Sequence, residues 1–584
     1  MTKSPRITDG RPTSSGSADS ILSVRCEGAP LPDARCAGVA SSSVPGGSSL
    51  ASALSEDSDD VVIEMPRPKL IALFAGLLIA MLVASLDQTI VSTALPTIVG
   101  ELNGSDHILW VTTAYVLAAT ITMPVYGKLG DLIGRKGLFI GGLLLLAVGS
   151  TVCGLATSMP ALIAGRAVQG LGGGGLMILA QAIIADVVPA RVRGAYMGVM
   201  GVAFAVPMVL GPLLGGYFTD VVGWRWAFWI NLPLVALSVV AAIAWLPRRP
   251  IRGQMGRFDA WGMATMTISL TSLVLVTSLG GTTLAWGSPA IVGLALACVV
   301  FGVLFVLAER RAVEPLIPLY LFHNRNFVLT TAAGLVSMLG LMGVVSYLPT
   351  YFQIVHGLSA TASGFMEMPA LVAEGVASIA AGVLVSRTGR YKAMMVASFA
   401  VAALGMGCLA TLGVDTSLVP IGCYLFVLGL GVGLNIEILV LIAQNEFPTS
   451  VVGTVTAANN FFREVGTTLG ASLVGALFTA NLTRTMDEEL AGLGGAATGA
   501  VGAGGAMAGT DVVAGSDAVL EVAGITASSI TPGLMRELPD ELAGAIATAY
   551  SDALAPVFVI VVPLMIVGLV LMALLKNTRL ANRV

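Results

Sequence analysis

The chain has 584 residues, of which 56% are hydrophobic and only 11% are charged, and its formal net charge is −4. Soluble domains average about 25% charged residues, so the composition predicts a chain that lies mostly in a lipid bilayer. The small net charge gives no argument for nucleic acid, and we expect none as a partner. The three histidines, His107, His323 and His356, are too dispersed to predict a metal site.

Residues 1–66 form a polar region rich in Ser, Gly, Pro and Asp, and they end in the acidic stretch 56–60. The absence of apolar periodicity predicts a disordered tail. A cleavable signal would place a short basic segment directly before an apolar core near the N-terminus, so we expect the first apolar run to remain as a membrane span.

Fourteen apolar runs follow, and each has at least the roughly 20 residues that a bilayer-crossing helix needs. Backbone N–H groups in lipid must be satisfied within their own segment, so we predict an all-α fold with fourteen transmembrane helices. The predicted spans are 70–98, 107–127, 137–157, 160–185, 195–219, 226–247, 260–280, 288–308, 326–354, 361–386, 392–413, 417–446, 451–481 and 553–575.

The basic residues support this count, because Lys and Arg accumulate in cytoplasmic loops. They occur in the N-terminal tail, in alternate loops after spans two, four, six, eight and ten, and in the C-terminal tail. Five of the 30 lie elsewhere, and an odd number of spans would break the alternation. We therefore predict that both termini are cytoplasmic. The exceptions are Arg166, Arg225, Arg463, Arg484 and Arg536.

Residues 482–552, between the last two predicted spans, are acidic, rich in Gly and Ala, and of low complexity. The alternation of loops predicts that this insertion is extracellular. We interpret it as a flexible spacer, and a cap or a partner-binding loop is the alternative.

The loop 127–137 between spans two and three is short, basic and punctuated by glycine, and its pattern recurs after the second span of the second half. Parallel repeats of six spans predict two six-helix bundles, 67–250 and 311–584, with an inserted helix pair at 251–310. The second copy of the loop has Ser386 where the first has the acidic residue Asp131. Corresponding positions are Gly127 and Gly382, Asp131 and Ser386, Gly134 and Gly389, and Arg135 and Arg390.

Five segments carry motifs in a fixed order along the chain: 86–98, 127–137, 165–170, 211–216 and 224–233. Together they resemble the major facilitator superfamily and, within it, the fourteen-span drug:proton antiporter family of EmrB and QacA. The resemblance covers about 68–480 and the last span. It implies a major facilitator fold and a transporter that rocks between inward-open and outward-open states. It also implies an antiporter motif on the fifth span at Gly211, Pro212, Gly215 and Gly216.

Asp87 lies about 18 residues past Lys69, which places it near the middle of the membrane by helical rise. A carboxylate at that depth must be protonated, paired or in a wet cavity, so it suits a site that loads and unloads a proton. Arg166 lies at a compatible depth in span four, and the resemblance implies a role for it in proton transfer. A permanent structural ion pair is the alternative for both residues.

Glu374 lies near mid-membrane in span ten, where exporters of the resembling family carry an acid, and we predict that it recognises a cationic substrate or takes the coupling proton. Glu367 lies two helical turns earlier, so both acids face one side of the helix. We assign Gln88 and Gln169, which belong to the first-span and fourth-span motifs, to the same substrate cavity. Glu437 and Arg463 lie at overlapping depths, and a structural pair is the interpretation we favour.

We predict a mechanical role for the 127–137 loop, whose glycines permit a sharp turn and close helix approach. A charge pair between Asp131 and Arg135 would latch the cytoplasmic side of the bundles, and Asp131 would also suit a neighbouring helix N-terminus. A turn that only sets topology is the alternative. The latch residues are Gly127, Gly130, Asp131, Gly134, Arg135 and Lys136.

The resulting hypothesis is a proton-driven multidrug exporter of amphipathic or cationic small molecules in the cytoplasmic membrane of a bacterium. The glycine run 172–175 is not followed by Lys-Ser or Lys-Thr, so it is not a phosphate loop, and we expect the proton gradient, with no cofactor, to supply the energy. A proton-coupled exporter of one endogenous compound, such as an amino acid, a lipid or a self-made antibiotic, is the alternative. A membrane-embedded enzyme is disfavoured, because no nucleophile–base pair or metal cluster shares one depth.

Overall fold

The computed structural model describes residues 65–102, 107–248, 259–281, 284–345, 347–501, 532–535 and 538–576. The predicted disordered tail, 1–66, therefore lies outside the described residues except for its last two positions. The central part of the predicted insertion 482–552 also lies outside them.

The first half of the described chain forms six long helices. A helical turn at Phe218–Val222 and a short helix at Trp226–Trp229 separate the fifth from the sixth. The long helices are α1 (Arg67–Leu102), α2 (Ile108–Ile133), α3 (Arg135–Gly154), α4 (Met159–Val187), α5 (Ala190–Tyr217) and α6 (Asn231–Trp245).

The second half contains eight more long helices, and the twelfth is interrupted at Leu434 and Asn435. Short helical segments at Leu319–His323, Leu348–Ile354, Thr449–Val451 and Pro532–Met535 connect them. The long helices are α7 (Ala260–Leu279), α8 (Pro289–Glu309), α9 (Arg325–Val345), α10 (Ala360–Thr388), α11 (Lys392–Leu409), α12a (Leu418–Gly433) with α12b (Ile436–Asn445), α13 (Val452–Val501) and α14 (Asp540–Ala573).

Thirteen helical segments of the described chain are long and apolar enough to cross a membrane, and α9 carries a shorter apolar stretch at Arg325–Leu341. Each predicted span coincides with one labelled helix, so the predicted all-α fold with fourteen spans is confirmed. Apolar side chains of α8, such as Leu296 and Val299, are 64% exposed, as expected for a helix that faces lipid.

The last two helices extend beyond their predicted limits, so the predicted bounds of the insertion are wrong at both ends. Its first residues continue α13, and α14 begins at Asp540 rather than at 553. The two extensions pack together, because Thr485 donates to the Ala549 carbonyl at 2.9 Å. The ring of Tyr550 also lies 4.9 Å from the ring of Phe478, in the last turns of the predicted thirteenth span. A search for wholly apolar runs misses these turns, because each buries only one face.

The long helices form two bundles. In the first bundle, α1 packs against α5 and α6, and α4 packs against α2 and α3. In the second bundle, α9 packs against α13, and α12a packs against α10 and α11. The pair α7–α8 packs mainly on itself, and α7 also contacts α2 and α13.

The two bundles meet where α5 packs against α10 and α12b and where α13 packs against α2 and α4, and we call these contacts the seam. The seam is tightest beside the 127–137 loop. A Cβ on Gly127 would overlap Ala457, and a Cβ on Gly382 would overlap the Gly194 backbone. Farther along α10, a Cβ on Gly375 would lie 3.9 Å from the nearest side-chain atom of α5. The bundles are therefore closed at the end that carries the loop and separate beyond it.

This packing predicts that Gly127→Ala opens the closed end, because its Cβ has no room against α13. Spin labels at the exposed positions Gly137 and Thr388 report the separation of the bundles there. We expect Gly127→Ala to populate a longer distance between the labels, measured by double electron–electron resonance. Gly141→Ala is the matched control, because a Cβ at Gly141 meets no atom within 4 Å. Identical distance distributions in wild type and Gly127→Ala would contradict the assignment of the closed end.

Candidate functional site

A cavity of about 490 Å³ lies between the two bundles, beyond the closed end of the seam. Its walls are mostly apolar and come from both bundles. Methionine is prominent among the lining residues, and its flexible, polarisable side chain adapts to ligands of different shape. The lining methionines are Met81, Met123, Met177, Met208 and Met338.

Polar groups enter this cavity from three helices. Gln88 lines it from α1, Glu367 and Glu374 line it from α10, and α13 contributes a polar strip. The structure therefore brings three of the four residues assigned to a substrate cavity into one space. The polar strip of α13 consists of Asn460, Arg463, Glu464 and Thr467.

Neither acid of α10 forms a direct ion pair with a residue that the structure describes. Oε1 of Glu367 is buried and accepts no hydrogen bond from any of these residues. Within the described part of the chain, no basic nitrogen lies within 4.0 Å of a carboxylate oxygen of Glu367 or Glu374. Buried carboxylates in such surroundings favour the arrival of a cation or a proton.

Asp87 lies behind the cavity wall in a closed polar cluster. It forms an ion pair with Arg166, and its Oδ1 accepts hydrogen bonds from Gln169 at 2.8 Å and Asn231 at 2.7 Å. Asp87 is 0% exposed and Arg166 is 1% exposed. Ser150 accepts from both amides, at 2.8 and 3.1 Å. A buried carboxylate with a guanidinium and two amide donors is stabilised in its ionised form.

Gln169 belongs to this cluster, so its assignment to the substrate cavity is wrong. Gln169 is fully buried and accepts from Arg166 at 3.0 Å while donating to Asp87. The spacing of Gln169 from Arg166 in the sequence indicates this position. Residues three apart on a helix share a face, so a residue three positions after Arg166 points toward the partner of that arginine.

Tyr115 separates the cluster from the cavity, and the motif analysis did not identify it. Its ring lies 4.4 Å from the Arg166 guanidinium, and its hydroxyl donates to the Ala84 carbonyl at 3.1 Å. Tyr115 also lines the cavity. A change in the position of this ring would expose the ion pair to cavity water.

The antiporter motif of α5 packs against α1 next to the Asp87 cluster. A Cβ on Gly211 would overlap Thr89, and a Cβ on Gly215 would lie 2.9 Å from the Thr93 Cβ. Pro212 lines the cavity, whereas a Cβ on Gly216 would meet no described atom within 4 Å. Gly211 and Gly215 therefore set how closely α5 approaches the helix that carries Asp87.

At the closed end, Asp131 joins the two bundles. Its carboxylate accepts from Arg135 at 2.7 Å, from the backbone N–H groups of Gly453 at 3.0 Å and Thr454 at 2.6 Å, and from the Thr454 hydroxyl at 2.8 Å. These backbone groups form the first turn of α13, where the helix dipole favours a negative charge. The acid of the first bundle thus caps a helix of the second.

The other latch residues hold this contact in place. Arg135 also forms an ion pair with Asp186 and donates to the Thr449 carbonyl at 3.3 Å. Gly134 has φ = 95°, a conformation that favours glycine. Lys136 donates to the carbonyls of Ile243 and Leu246 at the end of α6, at 2.8 and 2.7 Å. A Cβ on Gly130 would lie 3.1 Å from the Leu179 side chain.

The second copy of the loop makes the symmetry-related contact with a neutral residue. Ser386 accepts from the backbone N–H of Ala195, in the first turns of α5, at 2.9 Å. Gly389, which corresponds to Gly134, has φ = 67°. Each loop therefore contacts the N-terminal part of a helix in the opposite bundle, and only the first contact is charged.

Glu437 and Arg463 do not form the direct pair that the sequence predicted. Glu437 accepts from Gln181 of α4 at 3.2 Å, and Arg463 donates to Asn460 at 3.1 Å. Among the described residues, no carboxylate oxygen lies within 4.0 Å of the Arg463 guanidinium. The break in α12 before Glu437 changes the direction of its side chain, which a depth estimate along a continuous helix does not capture.

We predict that Asp131→Asn opens the closed end more than Ser386→Ala does. Hydrogen bonds to charged groups contribute about 1.5–3 kcal/mol, against about 0.5–1.5 kcal/mol for neutral ones. The population of the longer Gly137–Thr388 label distance should therefore rise more in Asp131→Asn, with near-normal abundance of the protein in the membrane. An equal or larger shift in Ser386→Ala would show that the charge does not control closure.

The comparisons with known proteins agree with this architecture. The family model described as Major Facilitator Superfamily matches residues 77–471. An uncharacterised MFS-type transporter of Mycobacterium tuberculosis is 37% identical over 516 residues, which are 87% of this chain and 70% of that protein. The multidrug transporter protein MdtP of Bacillus subtilis is 36% identical over 427 residues, 73% of this chain and 79% of that protein.

A solved structure shows the same fold at low sequence identity. The structure of the human organic anion transporter MFSD10 has a TM-score of 0.55 at 15% identity and covers 86% of this chain and 100% of its own. The family match spans most of both predicted bundles, and the helices and their contacts agree with it. The chain is therefore a membrane-spanning transporter of the Major Facilitator Superfamily.

Proposed function

We propose that this transporter is a proton-coupled antiporter that exports amphipathic or cationic small molecules across the cytoplasmic membrane. The proton gradient is the energy source, without a bound cofactor. The observation that carries the proposal is the cavity between the bundles. It combines adaptable apolar walls with two carboxylates that form no direct ion pair among the described residues.

A lipophilic cation fits the chemistry of this cavity. Its apolar body would contact the methionines and the leucines of the walls, and its charge would lie near Glu367 or Glu374 on α10. In surroundings of low dielectric, an ion pair of this kind is much stronger than in water. The name of the relative MdtP, a multidrug transporter, supports the same substrate class.

The orientation follows from the basic residues of the closed end. The 127–137 loop carries Lys128, Arg135 and Lys136, and positive loops remain cytoplasmic. On this assignment both termini are cytoplasmic, and the described conformation is closed toward the cytoplasm. The cavity then faces the outer side, where an exporter releases its substrate and takes up protons.

The Asp87–Arg166 cluster supports the proton-coupling part of the proposal. In the described conformation Asp87 is paired with Arg166 behind the ring of Tyr115. Uptake of a proton by Asp87 requires Arg166 to move away, and a proton on Asp87 in turn frees Arg166. Binding of a proton to Asp87 would therefore change the contact between α1, which carries Asp87, and α4, which carries Arg166.

For Glu374→Gln, we expect export of a cationic substrate to weaken and export of a neutral one to persist. The apparent affinity for ethidium should fall about tenfold, or about 1.4 kcal/mol, because an ion pair is lost. Nile red, which is uncharged, should be transported as by wild type. The measurement is gradient-driven uptake of both dyes into everted vesicles, with the exposed Glu488→Gln as control. Equal loss of both dyes would assign Glu374 to coupling or structure instead.

A test of Asp87 must separate the loss of a proton-binding group from the loss of the counterion of Arg166. Asp87→Asn leaves Arg166 buried without a counterion, which alone costs about 3–5 kcal/mol. The double variant Asp87→Asn/Arg166→Gln removes both charges, and we expect normal thermal stability but no gradient-driven ethidium uptake. Recovery of gradient-driven uptake in the double variant would reduce the pair to a structural element.

A further inference from the structure

A chain of side-chain hydrogen bonds leads from the cavity to a buried carboxylate in the seam. Arg463, on the cavity wall, donates to Asn460 at 3.1 Å, and Asn460 donates to Gln181 Oε1 at 2.9 Å. Gln181 in turn donates to Glu437 Oε2 at 3.2 Å. Gln181 belongs to the first bundle and the other three residues belong to the second. The chain therefore crosses the seam twice.

Glu437 is buried without the partners that an ionised carboxylate needs. It is 1% exposed, its Oε1 accepts no hydrogen bond from the residues that the structure describes, and its Oε2 accepts one from a neutral amide. Asp87 is equally buried but has a guanidinium and two amide donors. Burial of a bare carboxylate is costly, and binding of a proton removes most of that cost.

The described groups around Glu437 give it no direct counterion. From α4 it meets Gln181, and from α5 it meets Gly201, where an added Cβ would lie 3.4 Å from the Glu437 Cγ. Arg463 of α13 attracts its charge, whereas Glu374 of α10 repels it. The charge of Arg463 also interacts with Glu464 and Glu374, so Glu437 is not the single acid that it neutralises.

The position of Glu437 couples this site to opening of the closed end. Val440, one turn farther along α12b, is fully buried in the apolar core of the first bundle. Ser378, on the neighbouring α10, donates to the Gly198 carbonyl of α5 at 3.0 Å. Separation of the bundles at this end must break the Gln181–Glu437 hydrogen bond and admit water to the carboxyl group.

We propose that Glu437 is a further proton-binding residue of the transport cycle. Its carboxyl group holds a proton while the closed end is shut. When that end opens, the O–H bond breaks, the proton passes to cytoplasmic water as hydronium, and the hydrated carboxylate remains. When the cavity next faces the outer side, hydronium that enters from the cavity gives its proton to the carboxylate before the Gln181 contact seals it. A new O–H bond forms and a water molecule is left. The inference rests on the proposed antiport of protons and substrate.

Two substitutions separate proton binding from a structural contact across the seam. Glu437→Gln keeps an acceptor for Gln181 but cannot exchange a proton. Gln181→Ala removes the hydrogen bond but keeps a titratable carboxyl group. In proteoliposomes, Glu437→Gln should retain ethidium–ethidium exchange, which needs no net proton movement, and lose gradient-driven ethidium uptake about 100-fold. Gln181→Ala should lose much less gradient-driven uptake, and Glu488→Gln should match wild type in both assays.

The outcomes distinguish this inference from the proposed function. Full gradient-driven uptake by Glu437→Gln in a coupled wild-type protein would overturn the inference and leave proton antiport standing. A larger defect in Gln181→Ala than in Glu437→Gln would also overturn it, because the contact and not the proton would then matter. Absence of gradient-driven ethidium uptake in wild type would instead contradict the proposed function.

Infrared spectroscopy tests directly whether Glu437 carries a proton. It is needed if Glu437→Gln also loses ethidium–ethidium exchange or if the wild-type protein transports no ethidium. At neutral pH, the purified wild-type protein should show a carboxylic-acid C=O band that shifts in Glu437→Asp and disappears in Glu437→Gln. The absence of such a band would overturn the inference, because it would show that Glu437 is ionised in the closed conformation.

Discussion

The cost of burying charge in a medium of low dielectric governs the polar residues of this transporter. A carboxylate inside the membrane needs a cation, several hydrogen-bond donors or a proton. Asp87 has the first two, because Arg166, Gln169 and Asn231 surround it. The acids of the cavity and the seam lack a direct cationic partner within the described chain. The same constraint therefore produces one acid that is paired and fully hydrogen-bonded and others that favour a cation or a proton. Coupled transport requires acids in such different surroundings.

Packing at the seam determines when these groups meet water. Glycines let the bundles touch at the closed end, and Asp131 forms a charged cap on α13. In the second copy of the loop, Ser386 makes the corresponding contact with α5, and that contact is neutral. The closed end is thus held by polar contacts together with apolar contacts such as that of Val440 with the core of the first bundle. Such contacts break together when one bundle rotates, which suits a protein that alternates between two conformations.

The sequence predicted the spans, their number and the all-α fold, because hydropathy reports directly on lipid contact. The predicted ends of α13 and α14 were wrong, because only one face of each extension is buried, as around Tyr550. Tyr115 and Ser150 carry no charge and lie outside the five motif segments, so no pattern distinguishes them from packing residues. Asn231 lies in the motif segment 224–233, but nothing in that segment links it to Asp87 before the fold brings them together. Gln169 was misassigned because its helix face was not compared with that of Arg166. The direction of Glu437 depends on a helix break that the sequence does not mark.

The most direct test of the account is to record substrate and protons together with the purified transporter in proteoliposomes. An imposed acidic lumen should drive ethidium inward against its concentration gradient, and the lumenal pH should rise in step with ethidium entry. A protonophore should abolish both movements. Ethidium accumulation without a matching change of lumenal pH, or accumulation that persists when the protonophore is present, would contradict proton-coupled export.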